Sequence, residues 1–125
     1  MAKHFRCGRL FSGLDDRAAT DQTIVVSRDG TIAYVGACSA APTPASHDTV
    51  VDHSGSFVMP GLIEGHVHFV AGNAPTEEDV DIHAAAEFKA LRTVINAQRL
   101  LAAGYTAVID GGGRGALSVR DAINA

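Results

Sequence analysis

The sequence has little cysteine, few basic residues and no long apolar run, and each shortage closes off a class of protein. Cys7 and Cys38 are too few for a disulfide framework, and neither belongs to a Cys-x-x-Cys pair. A reducing, cytoplasmic setting is the expectation. No stretch approaches the ~20 apolar residues that cross a bilayer, so no membrane partner is expected. The opening residues, Met1-Ala2-Lys3-His4-Phe5-Arg6-Cys7, lack the continuous apolar core of a secretion signal. Ten Lys and Arg against 14 Asp and Glu leave a net charge of -4, which gives no basic patch for nucleic acid. What is present suits a globular chain: 125 residues, 46% of them hydrophobic, are enough to bury a core.

The first sixty residues read as short strands. His4–Phe11 is a first strand, weakened by Gly8 and two arginines. Thr23–Ser27 and Thr31–Gly36 flank Arg28-Asp29-Gly30, and Asp-Gly between two β-rich runs predicts a hairpin, because both central turn residues can take positive φ. Ala37–His47 is small, polar and Pro-containing, hence an exposed loop. Val50-Val51-Asp52 is a brief strand and Ser54-Gly55-Ser56 a turn. Together these make a small antiparallel β unit. His4, His47 and His53 lie in it as surface groups.

The pattern changes after residue 68. Val70–Pro75 is loop. Thr76-Glu77-Glu78-Asp79 starts a helix, with a capping hydroxyl and acidic residues where the helix dipole favours them. Ile82–Ala103 is helical: Phe88, Leu91 and Ile95 recur at three- and four-residue spacing. Leu101 continues the stripe with Val94 and Leu100 beside it, and Lys89, Arg92 and Arg99 lie largely off it. Gly104 is its C-cap residue. Tyr105–Ile109 is an apolar strand ending at Asp110, Gly111–Gly115 a mobile turn, and Ala116–Ala125 a further helix. The second half is β-α-β-α, which implies parallel strands joined by a right-handed crossover.

The two halves meet in Phe57-Val-Met-Pro-Gly-Leu-Ile-Glu-Gly-His-Val-His-Phe69. If Leu62–Phe69 is a strand, alternation turns His66 and His68 to the same side. Two imidazoles there are well placed to hold one metal ion. Two bland histidines alternating with Val67 are the other reading of those residues alone.

The full string resembles the first barrel strand of the amidohydrolase superfamily, with its Pro-Gly-Leu-Ile-Asp-x-His-x-His pattern. Leu101–Val108 is similar to that family's Ala-Gly-aromatic-Thr entry to the second strand, Asp110-Gly111-Gly112 to its Asp-x-Gly-Gly turn, and Val119–Ile123 to the short helix that follows. The likeness is strongest to the imidazolonepropionase-like and Xaa-Pro or Xaa-Arg dipeptidase-like branch. It implies an α/β fold: part of a small β-sandwich over 1–59, then the first two β/α units of a (β/α)8 barrel over 60–125. Glu64 stands where Asp is usual, and Ile109 where an Arg often precedes the strand-two Asp. A full barrel takes about 250 residues, so the chain reads as the N-terminal piece of a longer hydrolase.

The resemblance further implies metal-assisted hydrolysis of a C–N bond in a small amide, dipeptide-like or cyclic amide substrate. His66 and His68 would be ligands of one or two divalent ions, Zn²⁺ by preference, which polarise the carbonyl and bring water to a pKa of about 7. The catalytic base, an aspartate, and the other ligands belong to later strands. The chain alone should therefore bind metal weakly and turn nothing over. The remainder of the barrel, from the same or another chain, is the expected partner, and the complete enzyme is expected to be a homo-oligomer. Asp110, Phe69, Asn73 and His83 are candidate substrate contacts. Two other readings stand beside this one. Gly111–Ala116 satisfies Gly-x-Gly-x-x-Ala between strand and helix, as in a dinucleotide-binding turn, and the chain could instead be a non-catalytic subunit.

Overall fold

The chain divides into two compact units, Met1–Pro60 and Gly61–Ala125. The structure is a computed structural model that describes residues 1–72 and 74–125, with the backbone only for Glu77, Asp81 and Arg114. Asn73 thus lies outside the described residues. Among those described, no helix is long and apolar enough to cross a membrane.

The first unit is one four-stranded sheet built from β1 (Lys3–Leu10), β2 (Ala19–Val26), β3 (Ile32–Ala37) and β4 (Thr49–Val58), in the order β3-β2-β1-β4. The β1–β2 and β2–β3 pairs are antiparallel. The β1–β4 pair is parallel, which corrects the expected all-antiparallel unit. The chain crosses from β3 to β4 through a 3-10 turn at Cys38–Ala40 and the loop after it, and that long connection brings β4 in alongside β1 in the same direction.

Three local expectations also change. Ser54-Gly55-Ser56 is no turn: β4 runs unbroken through it. Cys7 pairs with His53 and Arg9 with Phe57, so the small polar residues form an irregularity within the strand. Gly8 makes room for it, since a Cβ there would stand 1.9 Å from the Ser54 carbonyl oxygen. The hairpin turn has only Gly30 at positive φ, 86°. Gly30 N–H donates to Ser27 O and Ser27 N–H to Thr31 O, and the register shifts at Val25/Val26. A type I turn closed by a left-handed glycine gives this pattern. His4, read as a surface group, is instead buried, at 4% exposure, where it pairs with Val25 of β2. Its Nε2 lies 3.5 Å from Asp48 Oδ2, a partner that lets the ring leave water.

The second unit comprises β5 (Leu62–Val67), α1 (Glu77–Asp81), α2 (Ala86–Ala102), β6 (Tyr105–Asp110) and α3 (Arg114–Asn124). β5 and β6 pair in parallel. Thr76 caps α1, its Oγ1 accepting from Asp79 N–H at 3.1 Å. Gly104, at φ 94°, ends α2, and its N–H donates to Leu101 O. The single helix expected over Ile82–Ala103 is corrected: the chain turns at residues 82–85, with Ala85 extended, between α1 and α2. The two helices bury different residues, Val80 and Thr93, while the alanines at the break carry no sequence stop signal. The stripe of Phe88, Leu91, Ile95 and Leu101 is exposed. The packed side of α2 is marked by Thr93, whose Oγ1 donates to Lys89 O at 2.9 Å.

Candidate metal centre

Parallel pairing aligns the C-terminal ends of β5 and β6, with Val67 opposite Asp110. The ladder shifts register between Glu64 and Val67. Within that stretch the His66 N–H donates to Glu64 Oε1 at 3.3 Å, so the carboxylate serves an amide at the irregularity. β5 ends at Val67, leaving His68 just beyond the strand.

The two histidines nonetheless meet. His66 Nε2 and His68 Nε2 are 3.0 Å apart, with ring centroids 5.0 Å apart and planes tilted by 56°. At that separation one nitrogen carries the proton and the other accepts it. Two nitrogens bound tetrahedrally to one zinc at ~2.0–2.1 Å would stand about 3.3 Å apart, so the pair has the spacing of a chelate. Both rings are exposed. Among the described residues no group of three His, Cys, Asp or Glu side chains could close a site.

The glycines after β6 lie against this pair. A Cβ at Gly111 would stand 2.7 Å from His66 Nε2, and one at Gly112 3.6 Å from His68 Nδ1. Gly111 N–H donates to Val67 O at 2.8 Å, extending the strand pairing beyond Asp110. Asp110 Oδ1 accepts from Gly112 N–H at 2.9 Å. Its Oδ2 is buried and has no hydrogen-bond partner among the described residues.

The other candidates sit elsewhere. Phe69 is half-buried and lines a cavity with Leu100, Tyr105 and Val108 beneath α2. His83, expected in a first helical turn, is exposed in the turn between α1 and α2, a correction that follows from the break at Ala85. Two residues that the sequence presented only as an arginine off the apolar stripe and an unremarked asparagine reach this region. Asn96 Nδ2 donates to Phe69 O at 2.6 Å, and the Arg92 guanidinium donates to Val70 O at 3.1 Å and to Gly72 O.

No protein-family model matches the chain. An imidazolonepropionase of Methylobacterium sp. (strain 4-46) is 32% identical over 111 residues, which are 89% of this chain and 23% of that protein. An imidazolonepropionase of Burkholderia cenocepacia (strain HI2424) is 39% identical over 66 residues, 53% of this chain and 16% of that protein. A solved amidohydrolase matches 99% of this chain and 28% of its own, with TM-score 0.82 and 29% identity. A Xaa-Pro dipeptidase with bound methionine matches 99% of this chain and 30% of its own, with TM-score 0.81 and 26% identity. The chain thus spans about a quarter or less of the curated relatives. The likeness runs almost from end to end of this chain, in fold with the two solved proteins and in sequence with the first imidazolonepropionase: the chain belongs to the amidohydrolase superfamily.

Proposed function

We propose that the chain is the N-terminal part of a metal-dependent hydrolase, in which His66 and His68 bind a divalent cation, zinc by preference, through their Nε2 atoms. In this reading β5, α2, β6 and α3 are the first two units of a (β/α)8 barrel, and residues 1–59 are part of a small β-sandwich. The observation that carries it is the 3.0 Å approach of the two ring nitrogens at the C-terminal end of β5, the end at which barrels of this kind gather their functional groups. Exposure supports it too. Ile63 is 72% and Ile109 63% exposed on the two strands, whereas parallel sheets are ordinarily covered on both faces. Further strands and helices, from the same or another chain, would cover them and the exposed stripe of α2.

A cation held there supplies a Lewis acid that polarises a scissile carbonyl and acidifies water. The chain's own residues do the rest of the local work. To hold the cation both rings would be neutral with the proton on Nδ1, so that each Nε2 would present its lone pair, and Gly111 leaves space for the His66 ring. Asp110 holds the turn after β6 by accepting from Gly112 N–H, and its carboxylate at the strand end beside the pair is a candidate substrate contact. The catalytic aspartate and remaining ligands lie outside this chain. The substrate class is a small amide, dipeptide or cyclic amide cleaved at a C–N bond, a choice supported by relatives named amidohydrolase and Xaa-Pro dipeptidase. The test is a panel of such substrates with the native product, isolated with its metal. Hydrolysis should disappear with a chelator, return with zinc, and fall by ~10³-fold or more in His66→Ala and His68→Ala. Chelator-insensitive hydrolysis would defeat the proposal.

A further inference from the structure

The turn that carries His68 is fastened from α2 by side chains that are not ligands. His68 O accepts from Ala71 N–H at 3.1 Å, closing a tight turn directly after β5. The carbonyls of Phe69, Val70, Ala71 and Gly72 then point toward α2, where Asn96 takes the first and Arg92 the other three. Arg92 and Asn96 are four positions apart, hence one above the other on the same helix face. Each is itself held. The Arg92 guanidinium lies 5.7 Å from the Phe88 ring centroid, and Arg99 Nη1 donates to Asn96 Oδ1 at 3.3 Å. That second bond fixes which end of the amide faces Phe69. Gly72 completes the approach, since a Cβ there would stand 2.8 Å from Asn96 Nδ2. α2 is in turn located against α3 through Thr93, which is 1% exposed and whose Oγ1 would lie 2.6 Å from a Cβ at Gly115.

We propose that Arg92 and Asn96 are a positioning pair that fixes the His68 imidazole opposite His66 by clamping the carbonyls of the Phe69–Gly72 turn. The inference rests on the metal reading of the two histidines. It adds that the geometry of the pair is set from α2. His68 stands outside the strand ladder, so β5 alone does not hold it, and the clamped turn is what succeeds it in the chain. A planar guanidinium can serve several carbonyls at once, which a lysine ammonium does not reproduce.

The test uses the whole protein that carries this chain, with Asn96→Ala, Arg92→Ala, Arg92→Lys and a His66→Ala/His68→Ala control. Zinc affinity is read by calorimetry, and the imidazole tautomers are read in the metal-free protein from their ¹⁵N signals. Asn96→Ala and Arg92→Ala should each weaken zinc by ~10-fold or more, the loss typical of groups that orient ligands, with Arg92→Lys only partly restoring it. Without metal, the wild-type protein should show one ring with a protonated Nε2 and one with a bare Nε2, and the variants should relax both toward the solvent-averaged mixture. Asn96→Ala decides the matter if Arg92→Ala fails to fold. Zinc affinity within twofold of wild type together with unchanged imidazole signals would overturn the clamp. If the histidine double variant binds zinc as wild type does, the metal reading fails instead, and the metal-free imidazole signals still decide whether the clamp positions the ring.

Discussion

Gly111 lies so close to His66 that a Cβ in its place would stand 2.7 Å from Nε2 and 3.0 Å from Cε1. The crowded atoms are the end of a side chain, so a methyl group there displaces the ring rather than the backbone. Gly111→Ala is therefore expected to leave the melting temperature within about 3 °C of wild type, a stability change below about 1 kcal/mol, while weakening zinc binding by ~10-fold. Thermal melting and calorimetry on the same sample check both halves.

Gly8 presents the opposite case. The atom in the way is the Ser54 carbonyl oxygen, 1.9 Å from the would-be Cβ, and backbone in a parallel ladder has nowhere to go. Gly8→Ala should destabilise the chain by about 3 kcal/mol, at the upper end of overpacking costs. Urea unfolding measures it, and a loss below about 1 kcal/mol would mean that the β1–β4 irregularity is softer than it looks.

Much of this architecture is legible in the sequence, and what is not has physical reasons. The histidine spacing, the Thr76 cap and the Gly104 terminus are local signals, each decided by neighbours within a few residues. Ser54–Ser56 misleads because small polar residues mark turns, yet here they form an irregularity whose space comes from Gly8 on another strand. The burial of His4 depends on Asp48, which no local pattern links to it. In the sequence Arg92 lies off an apolar stripe and Asn96 carries no signal. Their work is to satisfy carbonyls of a distant turn, and backbone satisfaction is visible only once the chain has folded.

Asp29 anchors the hairpin turn. Hydrogen bonds from Ser27 Oγ first, then from Thr31 N–H and Oγ1, hold its carboxyl down at about 2. Its folded value is below the unfolded one of ~3.9, so its contribution is complete above pH ~4 and is lost as pH falls toward 2. Asp29→Asn should remove that part of the acid dependence while leaving neutral-pH folding intact. Unfolding midpoints of both proteins between pH 2 and 6 make the comparison. Equal acid sensitivity would exclude Asp29 as a contributor.

The two thiols should differ sharply. Cys38 is exposed, with its Sγ accepting from Thr23 Oγ1 at 3.1 Å. Cys7 is 2% exposed, and burial, with Cys38 nearby, pushes its thiol up. A thiol reagent at pH 8 is expected to label Cys38 promptly and Cys7 only when the sheet opens, because the thiolate is the reactive form. Mass mapping of the labelled peptides assigns each site, and prompt labelling of Cys7 would contradict the packing of β1.

The most direct measurement is a zinc titration of the chain followed at the ring nitrogens of its histidines. The account predicts weak binding, with the Nε2 signals of His66 and His68 moving together, ahead of those of His4, His47, His53 and His83. Zinc that moves other histidines first, or moves only one of the pair, would contradict it.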